Sequence, residues 1–90
     1  MRFEWNRRKA ARNLSKHGVS FQEVATVFDD ALAVTYPDPD HSEAESRYIT
    51  FGISTAGRFL VVAHVDAGDT IRIISSRRAT SGERKIYEEG

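Results

Sequence analysis

Three apolar segments joined by hairpin-length links fill residues 47–77, and they leave few ways for the chain to fold. Residues 47–54 alternate Ile49, Phe51 and Ile53 with Tyr48, Thr50 and Gly52, which is the period of a half-buried strand. Residues 58–65 are apolar on both sides, and residues 70–77 supply the branched Ile71, Ile73 and Ile74. The links Thr55-Ala56-Gly57 and Ala67-Gly68-Asp69 are too short for a crossover helix. The three strands are therefore expected to run antiparallel as a meander, with the apolar middle one at its centre.

Helices flank this sheet in the chain. Ser20 and Glu23 have capping-box spacing, Val19 and Val24 sit at the staple positions, and Phe21, Val24, Ala25 and Phe28 form an i, i+3, i+4, i+7 stripe closed by Asp29 and Asp30. Before it, Asn6 is a good N-cap for a helix carrying Ala10, Leu14 and His17 that ends at a left-handed Gly18. Phe3, Glu4 and Trp5 alternate as a short strand, and residues 32–36 read as another. Thr80 and Glu83 repeat the capping box, so a last helix starts near Ser81 and runs to the end. The expected class is α+β: a small antiparallel sheet with two N-terminal helices on one face, the other face left for a ligand, and a short C-terminal helix.

Ninety residues make one domain, 1–90, able to bury roughly two-thirds of its unfolded surface without staples. Cysteine is absent, which excludes disulfides, thiolate metal sites and thiol nucleophiles. No apolar run reaches membrane-spanning length and no leader-like segment opens the chain, so a soluble cytoplasmic protein is expected. Asp38, Asp40, His41 and Glu43 lie in a polar, Pro-containing loop over residues 37–46, which reads as solvated surface and not as a metal site.

The net charge is zero, yet the charges are segregated. Residues 1–17 hold six Lys/Arg and one acid, residues 18–46 hold seven acids and no Lys/Arg, and residues 47–90 hold seven Lys/Arg and five acids. A fold that joins the two basic ends builds a positive face on a neutral molecule. Arg72, Arg77 and Arg78, followed by Arg84 and Lys85 with Ser75 and Ser76 among them, form the densest group of cations. Guanidinium groups so placed repel one another unless an anion meets them, and phosphate offers the planar pairs of oxygens they bind. Arg8 and Arg12 read instead as a solvated helix face, whereas Lys16 and His17 beside the cap are candidates for binding or chemistry.

FEWNRRKAARNLSKHGVSFQEVATVF at the start, the Arg47 strand with Gly52, the central LVV, GDTIRIISSRRAT and the following ER with Tyr87 together resemble the BrnT family of bacterial type II toxins. The resemblance implies a ribonuclease with a fold similar to the RelE-like RNases, which inhibits translation by cutting RNA. It also implies as partner a BrnA-like antitoxin that binds DNA through a ribbon-helix-helix type domain. Asn6 stands where the family pattern has Asp, which leaves the cap intact.

An RNase without a metal cofactor must remove the 2′-hydroxyl proton, stabilise extra charge on phosphorus and protonate the leaving 5′-oxygen, giving a 2′,3′-cyclic phosphate and a 5′-hydroxyl. Arg72, Arg77 and Arg78 are the expected transition-state cations, with Arg47 or Arg58 reaching in and Lys16, Ser76 and Arg84 holding substrate. His17 is the first choice for proton transfer, since imidazole titrates near neutrality, and is equally well explained as a helix-end residue favoured by the dipole. His64, among Val61, Val62 and Val65, reads as a hydrogen-bonded core residue, and His41 sits where acids repel RNA. Glu83 is either a base or only the capping carboxylate, and Tyr87 either stacks on a base or packs the last helix. A non-catalytic RNA- or protein-binding module would use the same basic face.

Overall fold

The computed structural model describes residues 1–40 and 46–90. The elements run β1 (Arg2–Glu4), α1 (Arg7–His17), α2 (Phe21–Thr26) with a 3₁₀ turn at Val27–Asp29, β2 (Val34–Pro37), β3 (Arg47–Ile53), β4 (Phe59–Ala67), β5 (Thr70–Arg78) and α3 (Ser81–Glu89). His41 and Glu43 of the acidic loop fall outside the described residues.

The expected caps form. Asn6 accepts from the Lys9 N–H at 3.1 Å, Gly18 adopts φ 69° and closes α1 on the Leu14 carbonyl, and Thr80 with Glu83 completes a reciprocal capping box. Ser20 likewise caps α2 through the Glu23 N–H, but the Glu23 carboxylate turns away. It accepts from Arg58 Nε at 2.9 Å and from Ser54 Oγ at 2.7 Å, and so fastens α2 to the β3–β4 hairpin. Arg58 and then Ser54 hold the Glu23 carboxyl below its ordinary range against the opposing effect of burial.

Strand order in the sheet is β1-β5-β4-β3-β2. β3, β4 and β5 are antiparallel neighbours, as the short links require, and β2 pairs antiparallel with β3 across the longer 38–46 connection, but β1 pairs parallel with β5, Arg2 opposite Thr70 and Glu4 opposite Arg72. The sheet is thus mixed and not purely antiparallel. β1 is joined to β5 through most of the chain, so no hairpin dictates its direction. It covers only residues 70–72, and α1 takes over along the rest of β5.

α1 and α2 cover one face. Val19, Phe21, Val24 and Val27 pack there on Leu60, Val62 and Ile73, all at most 1% exposed, with Trp5 and Phe28 beside them. Burial of these side chains, at about 1.5–3 kcal/mol each, is the main force holding the layers together. β3 turns Tyr48, Thr50 and Gly52 toward this face, so its apolar set Ile49, Phe51 and Ile53 looks the other way. Gly52 is needed there: a Cβ would lie 2.8 Å from Val27 Cγ1 and 3.1 Å from Ala33 Cβ, and only glycine lets the 3₁₀ turn approach so closely.

The opposite face is not left free at its hairpin end. α3 lies over it, with the Tyr87 ring edge-on to Phe59 at 4.6 Å, the Tyr87 hydroxyl donating to Asp30 Oδ2 at 2.8 Å, and the Arg84 guanidinium 5.0 Å above the Phe59 ring. The apolar side of β3 and β4 accounts for this: Ile53 and Phe59 would otherwise meet water.

A polar chain crosses the helix-covered face. Thr35 Oγ1 and Thr50 Oγ1 are 2.8 Å apart, Thr50 Oγ1 and His64 Nε2 2.7 Å, and His64 Nδ1 and Asp66 Oδ1 2.7 Å. A carboxylate only accepts, so Nδ1 carries the proton and Nε2 takes the Thr50 hydroxyl hydrogen. His64 is the satisfied core residue its neighbours imply, 1% exposed with the Phe28 ring edge-on at 5.0 Å. Burial pushes its pKa below 6.5, and Asp66 only partly offsets this. As pH falls below 6.5 the unfolded chain takes up a proton that the folded one resists, so stability complete above that value is lost on acidification. Urea midpoints measured across this range should fall toward acid, and His64→Gln should flatten the fall. An unchanged slope in the variant would remove His64 as its cause.

Candidate nucleic-acid interface and active site

β1 stops at Glu4, so the edge of β5 beyond Arg72 has no strand beside it. α1 lies along this edge instead, and buried Asn13 joins the two. Its Oδ1 accepts the Ser76 N–H at 3.0 Å, and its Nδ2 donates to the Val19 carbonyl at 3.0 Å. One amide thereby satisfies a strand N–H and fixes the turn into α2.

The β4–β5 register shifts between Ala63 and His64, where Ile74 is the extra residue on β5. Such a bulge bends the strand and re-aims the side chains beyond it. Ile74 and Ser75 thus form one side of a groove of about 220 Å³, and Lys9, Arg12, Asn13, Lys16 and His17 form the other. The α1 residues recur at i, i+3, i+4, i+7 and i+8, a single helical face. Three permanent cations, one imidazole and one exposed hydroxyl therefore meet in one place, and the arrangement can hold a phosphodiester and take a proton from a hydroxyl beside it.

The residues singled out in the sequence are distributed more widely. Lys16 and His17 lie in the groove. Ser76 does not: it is 3% exposed and its hydroxyl is committed to the Val61 carbonyl at 2.9 Å, so the hydroxyl facing the groove is that of Ser75. Arg77, two residues beyond Ser75 on the same face, makes a bidentate pair with Glu83 at 2.7 and 2.8 Å. That pair, with Thr80 contributing, lowers the Glu83 carboxyl to about 2. So acidic a group is a poor proton acceptor near neutrality, and Glu83 serves as cap and as anchor for Arg77.

Arg78 is in register with Leu60 on the helix-covered face, where its charge helps to lower the Glu23 pKa. Strand alternation therefore sends Arg77 and Arg78 to opposite sides of the sheet. Arg72 shares the Arg77 face but lies roughly 15 Å along the strand, in the same row as Val65 and Arg47. Arg58 is tied to Glu23 and to the Gly18 carbonyl, Arg84 lies over Phe59, and Tyr87 is bound to Asp30. The guanidinium groups do not converge on one surface opposite the paired helices. Lys9, Arg12 and Asn13 are groove residues that sequence reasoning leaves out of the site, whereas Ser75 is one of the two hydroxyls it names beside the cation cluster.

Among the described residues no three His, Cys, Asp or Glu side chains gather as a metal ligand set, and no helix is long and apolar enough to cross a membrane.

Two helices on one face of a five-stranded mixed sheet and a third on the other define a class of small α+β proteins. Within that class the chain belongs to the BrnT family, described as ribonuclease toxin, BrnT, of type II toxin-antitoxin system, which matches residues 5–83. Membership brings RNA as the substrate class and an antitoxin as the partner. The fold is similar to that of the Brucella abortus ribonuclease toxin, BrnT, known from a crystal structure at 1.1 Å resolution: TM-score 0.70 and 23% sequence identity over 90% of this chain and 99% of that one. No curated protein matches the chain.

Proposed function

We propose that this protein is a metal-independent endoribonuclease that cuts RNA in the groove between α1 and β5. Meeting of Lys9, Arg12, Lys16, His17 and Ser75 around one cavity is the observation that carries this reading. His17 accepts the 2′-hydroxyl proton as that oxygen attacks phosphorus. Lys9, Arg12 and Lys16 stabilise the added charge on the phosphoryl oxygens, and Ser75 donates a hydrogen bond to one of them. The bond from phosphorus to the 5′-oxygen breaks, and the leaving oxygen takes a proton from a groove ammonium. Products are a 2′,3′-cyclic phosphate and a 5′-hydroxyl, and loss of intact RNA in the cytoplasm halts translation. Arg77, held beside Ser75 by Glu83, steadies the neighbouring phosphate, while Arg47, Arg72 and Arg78 act on more distant parts of the chain or on stability. A BrnA-like antitoxin with a ribbon-helix-helix DNA-binding domain neutralises the toxin.

The test is incubation of the purified protein with RNA in EDTA, with both ends mapped at each cut. Cutting that persists and leaves cyclic phosphates supports the mechanism. Cutting that stops on chelation and returns with a divalent ion overturns its metal-independent chemistry. RNA that is bound and left whole overturns the enzyme itself and leaves a binding module.

A further inference from the structure

We propose that the groove is selective for single-stranded RNA, seating an unpaired nucleotide against Ile74 and excluding the perfect duplex. This rests on the ribonuclease reading and adds the substrate's secondary structure to it.

Two features of the groove carry the inference. The first is the one-sided layout of charge. Lys9, Arg12 and Lys16 lie along one wall within eight residues of α1, about 10 Å of helix axis. One strand's phosphates can follow such a wall, and the groove carries its permanent cations on that wall alone, facing Ile74 and Ser75. Proteins that hold double-stranded RNA instead span about 16 base pairs and contact two successive minor grooves. The groove's cations, confined to about 10 Å of α1, do not supply that reach.

The second feature is the surface that faces the cations. Across the groove stand partly buried Ile74 and exposed Ser75, put there by the bulge. An apolar side chain opposite a line of cations suits a nucleotide whose phosphate turns to the helix and whose base lies flat on the hydrocarbon. In a duplex that base is stacked and paired, and its face is out of reach. Asn13 makes no competing claim on the ligand, since its amide oxygen and nitrogen are both used within the protein.

The experiment presents one RNA sequence as a single strand, as a perfect duplex and as a duplex with one bulged nucleotide. Cleavage is measured with the wild type and binding with His17→Ala, whose slowed cutting leaves the RNA whole while binding is read. The single strand should be cut, the bulged duplex should be cut at or beside its unpaired nucleotide, and the perfect duplex should be spared. At about −0.7 per phosphate, Lys9, Arg12 and Lys16 should make log K for the single strand fall with log salt at about −2, and more steeply where Arg77 adds a neighbouring phosphate. Lys16→Ala should make that slope shallower by about 0.7, whereas Ile74→Ala should weaken binding and leave the slope unchanged. Equal binding or cutting of the perfect duplex overturns the inference, as does an Ile74→Ala variant with full single-strand affinity. Preference for the single strand without cutting of any RNA would uphold this inference and defeat the ribonuclease reading.

Discussion

Replacing His17 by Ala should lower the rate of RNA cleavage by roughly 10²–10⁴-fold, the usual contribution of a positioned acid or base. His17 lines the groove on the same helical face as Lys9 and Lys16 and stands at the end of α1 next to the left-handed Gly18. The helix keeps its Asn6 cap and the Gly18 closure in the variant, so circular dichroism and melting temperature should change little. Binding of RNA should persist, since the three permanent cations remain, and the loss should fall on turnover. A folded variant that cuts at the wild-type rate would take proton transfer away from His17.

The largest expected effect on stability comes from Asn13→Ala. Asn13 is 5% exposed and its amide satisfies both the Ser76 N–H and the Val19 carbonyl. Truncation leaves two buried backbone groups without partners, at about 1–3 kcal/mol each. For a chain of this size a loss of about 2–4 kcal/mol corresponds to a drop in melting temperature on the order of 15 °C. Activity should fall further than the folded fraction does, because α1 loses its fixed distance from β5. A melting temperature within a few degrees of the wild type would show that the amide bridge is dispensable.

Most elements were legible in the sequence because their ends are chemically marked. Asn6, Ser20 and Thr80 cap helices, Gly18 closes one, and the Thr55–Gly57 and Ala67–Asp69 links set antiparallel neighbours. The direction of β1 carried no such mark, because its partner lies far away in the chain. Alternation in β3 showed that Ile49, Phe51 and Ile53 share a face but not which layer would cover it. Both faces receive helices, so an apolar set on either one has a place to go.

The candidate site was less legible for a similar reason. Arg77 and Arg78 are neighbours in sequence and for that reason point apart in a strand. The groove depends on where the axis of α1 falls against the edge of β5 and on a bulge at Ile74, and neither is a local property. One signal was nonetheless present. Asn13 is a poor helix former in the middle of α1, and an asparagine at that position points to a tertiary hydrogen bond on the face it shares with Lys9, Lys16 and His17. Tracing that face would have joined Arg12 to the site and not to the solvated surface.

The most direct measurement of the central claim is a map of backbone amide shifts as an oligodeoxynucleotide, which lacks the 2′-hydroxyl and so resists cutting, is added to the labelled protein. The groove should respond first, at Lys9, Arg12, Lys16, His17, Ile74 and Ser75, with the distant Leu32 and Tyr36 unmoved. Shifts gathered around Arg47 and Arg72 at the other end of the sheet, with α1 silent, would contradict it.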